Sequence, residues 1–212
     1  MTPGPKRFMV LVYRMLAKPT AGRVAVWRLL KKAGAIYLQQ SVCIFPDYGP
    51  IRDELAQILK RIESAGGEYH LLPLRQPPPA ELQKLVVQFQ EQTSKHYEEI
   101  IENCEVNFTK EIEFETFRKN FTYEEAEEIR AEFEKIDQWY ERVRARDWFG
   151  AENRAAAHEW VRKCRKMLEA FEEQVFTRQQ GVAEKLGEAP RKSRRRRVRV
   201  VPSARRKEAK SA

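Results

Sequence analysis

The sequence predicts an α+β protein: a split β-α-β domain, then a mainly helical lobe, then a disordered basic tail. Three observations lead there. Short apolar runs alternate with helical periodicity up to residue 76. A run of three prolines, Pro77-Pro78-Pro79, follows, and after it the apolar spacing is almost entirely helical. From Arg191 onward eleven Lys and Arg stand against one acid, Glu208.

The first element is Phe8 to Tyr13, a continuous apolar run whose Val and aromatic content suits a buried strand. Pro19 and Thr20 interrupt the chain. A helix follows, whose spacing puts Ala21, Val24, Trp27 and Leu30 on an apolar face and Arg28, Lys31 and Lys32 on another. Gly34 ends it, as glycine commonly does. Ile36 to Leu38 and Val42 to Phe45 read as two short strands around Gln39-Gln40-Ser41, or as one long strand. After a turn at Pro46–Pro50, Ile51, Leu55, Ile58, Leu59 and Ile62 keep a 3.6-residue period. Gly66-Gly67 closes that helix. Tyr69 to Leu74 is the last strand, and Pro73 places it at a sheet edge or shortens it. Strand, helix, strand, strand, helix, strand is the order of a ferredoxin-like domain, here residues 1–76.

Past the prolines, which make a stiff boundary, Leu82, Leu85, Val86, Phe89, Tyr97, Ile100, Ile101 and Cys104 keep helical spacing. Val106 to Phe117 is ambiguous. Thr122-x-x-Glu125 fits a capping box. It opens a helix carrying Ile129, Phe133, Ile136, Tyr140 and Val143 on one stripe. Asp147 to Gly150 breaks the pattern. A final helix carries Ala157, Trp160, Val161, Cys164, Leu168, Phe171 and Val175. The helical lobe is placed at 80–180 and the tail at 181–212.

The formal net charge of the 212 residues is +9. Residues 191–212 carry +10, and the remaining 29 basic and 30 acidic side chains leave the body at −1. Such a tail cannot bury itself. Its chemistry is that of phosphate contacts, through Arg191, Lys192, Arg194, Arg195, Arg196, Arg197 and Arg199. Arg28, Lys31 and Lys32 of the first helix form a second candidate basic face, followed by glutamines able to reach base edges. Exposed charge on an amphipathic helix is also the ordinary state of such residues.

No apolar run reaches the roughly 18 residues of a membrane span, and no signal peptide is legible. Three dispersed cysteines argue for a reducing, cytoplasmic setting. His96 with Cys104, and His158 with Cys164, lack the paired ligand spacing of zinc sites, so no metal is expected. No nucleophile elbow, phosphate-binding glycine loop or zinc-protease motif is present, and no catalytic residue is assigned. The segment Arg144-Ala-Arg146-Asp147-Trp148-Phe149-Gly150 reads as a structural clamp, with Asp147 capping the next element and the aromatics anchoring the lobe. An anion site at Arg144 or Arg146 is the alternative.

Several blocks together resemble one known family. RFMVLVYR (7–14), RVAVWRLLKKAGAIYLQQS (23–41), Phe121-Thr122-Tyr123 and RARDWFG (144–150) are similar to the N-terminal domain of ChrB-type chromate resistance proteins, over residues 7–177. The resemblance implies a cytoplasmic bacterial regulator of a chromate-efflux operon. It would bind promoter DNA and be released or altered by chromate as effector; no cofactor is expected from the residues. Arg14, Arg23 and Arg146, with Arg28, are the arginines in those blocks that suit an oxyanion. In outline the first domain is also similar to a domain of PaaX-type repressors and of CRISPR adaptation nucleases. The nucleases' acidic residue at the end of the first strand is here replaced by Val12-Tyr13-Arg14, so nuclease activity is not implied. ChrB proteins of full length carry a further C-terminal domain, whereas this sequence ends in the basic tail. DNA is the expected partner. A homo-oligomer, or a separate protein bound by the helical lobe, stays open.

Overall fold

The computed structural model describes residues 7–187 except 17 and 19, with side chains to residue 181. The tail residues Arg191, Lys192, Arg194, Arg195, Arg196, Arg197 and Arg199 lie outside the described residues.

The chain forms β1 (Phe8–Arg14), α1 (Thr20–Lys32), β2 (Ile36–Gln39), β3 (Val42–Pro46), α2 (Gly49–Ser64) and β4 (Glu68–Leu74). The helical part follows as α3 (Pro79–Glu102), a π-helical segment (Asn103–Phe108), α4 (Thr109–Arg118), α5 (Tyr123–Ala145) and α6 (Arg154–Gly187). It is a mixed α+β chain that is mostly helical. The contacts divide it into one unit, Met1–Val175, and a second, Phe176–Ala212.

The four strands make an antiparallel sheet in the order β2-β3-β1-β4. Leu11 sits between Cys43 of β3 and Leu71 of β4. The hairpin of β2 and β3 resolves the choice between one strand and two. It turns at Gln40-Ser41, and Ser41 takes a left-handed φ of 64°. β4 is an edge strand, as Pro73 requires.

Side-chain alternation divides the sheet between two cores. Met9, Leu11, Cys43 and Phe45 face α1 and α2, where Val26, Leu30, Ile51, Leu55, Ile58 and Ile62 are buried. Phe8, Ile36 and Ile44 face the other way, onto Leu85 and Phe89 of α3. Farther along, Tyr97, Ile100, Cys104 and Phe108 turn into a helical core with Ile129, Phe133, Ile136, Tyr140 and Val143 of α5. Ala157, Val161, Cys164, Leu168, Phe171 and Val175 of α6 complete it. Thr122 Oγ1 accepts the Glu125 amide at 3.2 Å, the N-cap half of the expected capping box.

Two expectations differ from the structure. In α1 the expected apolar face is Ala21, Val24, Trp27 and Leu30, yet the buried residues are Val26 and Leu30. Val24 and Trp27 are 40% and 50% exposed. A strict spacing of three slips back about 60° per step on a helix of 3.6 residues per turn. Ala21 and Leu30 therefore point in opposite directions, and the spacing never defined one face. In α6 the helix continues through Gly181 to Gly187. One glycine costs about 1 kcal/mol in a helix interior, which a long helix tolerates.

Candidate nucleic-acid interface on the first helix

The exposed side of α1 carries charge and aromatic surface together. At about 100° per residue, Arg23, Trp27, Thr20, Lys31, Val24, Arg28 and Lys32 succeed one another around one half of the helix. All seven are exposed. Leu30 and Val26 hold the other half on the sheet. Lys31 Nζ lies 5.4 Å from the centre of the Tyr37 ring, a cation–π contact that ties the basic face to β2.

Beside this stripe α1 and the sheet enclose a concavity of about 530 Å³. Arg23, Val24, Trp27 and Thr20 line it from the helix. Tyr13, Met15, Tyr37, Gln40 and Ser41 line it from the strands and their turn. Tyr13 and Tyr37 reach each other through their hydroxyls at 3.3 Å. Burial is the main cause that raises both phenols above the ordinary 10, so both remain protonated at neutral pH. In a pair of hydroxyls only one proton is used between them. The other stays available to a ligand.

The remaining arginines stand elsewhere. Alternation turns Arg14 away from Tyr13 and Met15, and it pairs with Glu68 at 2.9 Å with both side chains exposed. Such a pair contributes little. Arg146 sits under the C-terminus of α1. Its Nη1 donates to the carbonyl oxygens of Lys32 and Lys31 at 2.8 and 3.3 Å. Its Nη2 is 3.2 Å from His96 Nδ1, which must be the acceptor because a guanidinium only donates. The helix end needs this donor, since its last carbonyls lack intrahelical partners. Gly34, at φ 77°, closes the same end: its amide reaches the Lys31 carbonyl and the Ala35 amide reaches that of Leu30. A Cβ on Gly34 would approach the Trp148 ring at 3.1 Å.

The rest of the 144–150 segment works as a clamp. Trp148 packs against both the core under α1 and the core under α3. Phe149 lies 6.3 Å from Phe8 and 5.4 Å from Phe89. Asp147 accepts the Ala151 amide at 2.9 Å and the Tyr97 hydroxyl at 3.3 Å. It thus caps the turn before α6 rather than the helix itself.

Burial, with Arg146 and Lys31 nearby, lowers His96 from its ordinary 6.5 to about 4. The fold therefore holds the neutral ring. As pH falls below 6.5 the unfolded chain takes a proton that the folded chain refuses until about 4, so stability declines across that window. His96→Gln keeps an acceptor for Arg146 but does not titrate. It should flatten that part of the stability-against-pH curve, measured by urea unfolding between pH 7 and 4.

The three cysteines are buried and free. Burial pushes the Cys43 thiol up to about 12. Among the described residues no group of three His, Cys, Asp or Glu is disposed to hold a metal ion. Among them, too, no helix is long and apolar enough to cross a membrane.

Sequence reasoning singles out the charges of α1 and the glutamine turn. It misses Trp27, Val24, Tyr13 and Tyr37, which the fold brings beside them. The signal is present in the spacing, since Val26, Leu30 and Ala33 fit the buried face better than Val24 and Trp27 do.

A search of curated proteins finds no match to the chain. The family described as Protein ChrB, N-terminal, matches residues 23–182, from the start of the basic stripe on α1 into the end of α6. That match covers most of the chain, and with it the chain belongs to the ChrB N-terminal family of chromate resistance proteins.

Proposed function

We propose that the protein is a DNA-binding transcriptional regulator in chromate resistance, and that α1 lies against the nucleic acid. One observation carries this reading: Trp27 stands half exposed on the helix face that carries Arg23, Arg28, Lys31 and Lys32. A purely solvated face has no use for an exposed indole, whereas basic and aromatic groups together suit phosphate contact with stacking or groove insertion. The body carries −1 overall outside residues 191–212. Attraction to DNA by the body must therefore be local, and the stripe on α1 supplies it. The basic tail adds sequence-independent phosphate contacts. Chromate, a dianion, is the effector, and Arg14, Arg23 and Arg146 are the candidates to meet it.

The first domain, residues 1–76, is read as ferredoxin-like, supported by the order β2-β3-β1-β4 with all neighbours antiparallel. The helical lobe that begins at residue 80, and the basic tail that follows it, complete the organisation.

Electrophoretic mobility shift with the DNA upstream of its own gene tests the function. The full chain should bind it more tightly than unrelated DNA. Arg28→Glu with Lys31→Glu should lower the slope of log K against log salt by about 1.8, roughly 0.9 for each phosphate no longer neutralised. Deletion of 191–212 should lower it further and leave the preference for its own DNA. Absence of binding at low salt, or an unchanged slope in the α1 variant, would sink the reading.

A second reading has one observation in its favour. Phe114 and Phe117 of α4 are 55% and 85% exposed. That surface suits a separate partner protein bound by the helical lobe, with no nucleic acid involved.

A further inference from the structure

The concavity beside α1 has a composition that phosphate-backbone contact does not require. Its volume of about 530 Å³ is in the range of small-ligand sites. Trp27 and Val24 give it an apolar side fit for a flat ring. Gln40 and Ser41, at the β2–β3 turn, bring both donors and acceptors. The spare proton of the Tyr13–Tyr37 hydroxyl pair is a further donor. Arg23, at the rim on α1, has no partner occupying it in any ion pair between the described residues.

A flat ring, an edge carrying donors and acceptors, and an adjoining anion are the three parts of a nucleotide. We propose that this concavity is a nucleotide pocket: Trp27 and Val24 hold an unpaired base, Gln40 reads its edge, and Arg23 takes its phosphate. Nothing in a continuous duplex offers a base in that way, because its rings are stacked and paired. The nucleotide is either free or part of a single strand. An apolar aromatic acid would use Trp27 and Arg23 but would leave Gln40 without a role. The inference takes its ligand class from the nucleic-acid reading of α1 and is otherwise separate from it.

Isothermal titration of the full chain at 150 mM salt provides the test. The probes are AMP, GMP, CMP and UMP, a twelve-residue single strand, the matching duplex, and benzoate as an aromatic acid without a base edge. At least one mononucleotide should bind, and Trp27→Ala and Gln40→Ala should each weaken it about tenfold, the ordinary scale of a lost base–aromatic stack. If only the single strand binds, with the same dependence on Trp27 and Gln40, the source is the polymer and the pocket stands. Benzoate binding as tightly as the nucleotides would overturn it. So would binding untouched by Trp27→Ala in a variant whose far-ultraviolet spectrum matches the parent, or no binding of any mononucleotide or single strand. Duplex binding by the parent chain, with no mononucleotide or single strand bound, would keep the regulator reading while the pocket fails. Loss of duplex binding in the Arg28 and Lys31 variant, with mononucleotides still bound, would keep the two apart in the other direction.

Discussion

Phe108→Ala should destabilise the protein by about 3–5 kcal/mol, the range for deleting a buried phenyl ring. Phe108 is completely buried at the end of the π-helical segment, with the Phe133 ring 5.8 Å away. Phe133 belongs to the long helix α5, which cannot collapse onto a vacancy without moving its other buried side chains. The loss should therefore stay near the upper part of the range. Urea unfolding checks it: the midpoint should fall while the slope m stays that of the parent. Phe108→Leu, which keeps most of the volume, should cost less than half as much. A midpoint shift under about 1 kcal/mol in Phe108→Ala would mean that the helical core is not packed around this ring.

The second large effect belongs to Asp147. Its carboxylate is the partner of two groups that cannot easily find another, the Ala151 amide and the hydroxyl of fully buried Tyr97. A buried donor left unsatisfied costs about 1–3 kcal/mol, and a lost backbone cap about 1 more. Asp147→Ala should accordingly cost about 2–4 kcal/mol. Tyr97→Phe removes one of the orphaned groups, so in the Tyr97→Phe background the same alanine substitution should cost less. That difference is the coupling energy of a double-mutant cycle. Additive costs would show that the hydroxyl and the carboxylate act independently.

Most of the first domain was legible because its elements are short and sharply punctuated. Gly34, the Pro46–Pro50 turn, Gly66-Gly67 and Pro73 each fix a boundary or an edge through backbone restriction, a local effect. The stripe from Ile129 to Val143 was legible for a different reason: it keeps one period over several turns and meets one core. What a spacing of three obscured was phase. Helix α1 carries apolar residues on both sides, and the i, i+4, i+7 set of Val26, Leu30 and Ala33 is the one that packs on the sheet. The exposed Trp27 follows from that packing, so the candidate site was read by its charges but not by its aromatic. Arg146 was hidden in the same way. Its partners are the Lys31 and Lys32 carbonyls, more than a hundred residues away in the chain. Local patterning around the RDWFG block gives no hint of them.

The π-helical segment has a consequence for how this chain can change in length. Helix α3 enters it, and α4 leaves it, with Ile100 and Ile112 both directed at the same core. A π turn takes up one residue beyond the α-helical count, and here the Cys104 carbonyl accepts both the backbone amide of Thr109, five residues on, and its hydroxyl at 2.8 Å. Removing a single residue between 103 and 108 would restore an ordinary α-helix and leave both flanks facing as they do. The same deletion farther back in α3 would turn by about 100° every residue between it and the segment. The segment is thus a slack point in the chain, where one residue can come or go without the two helices losing step.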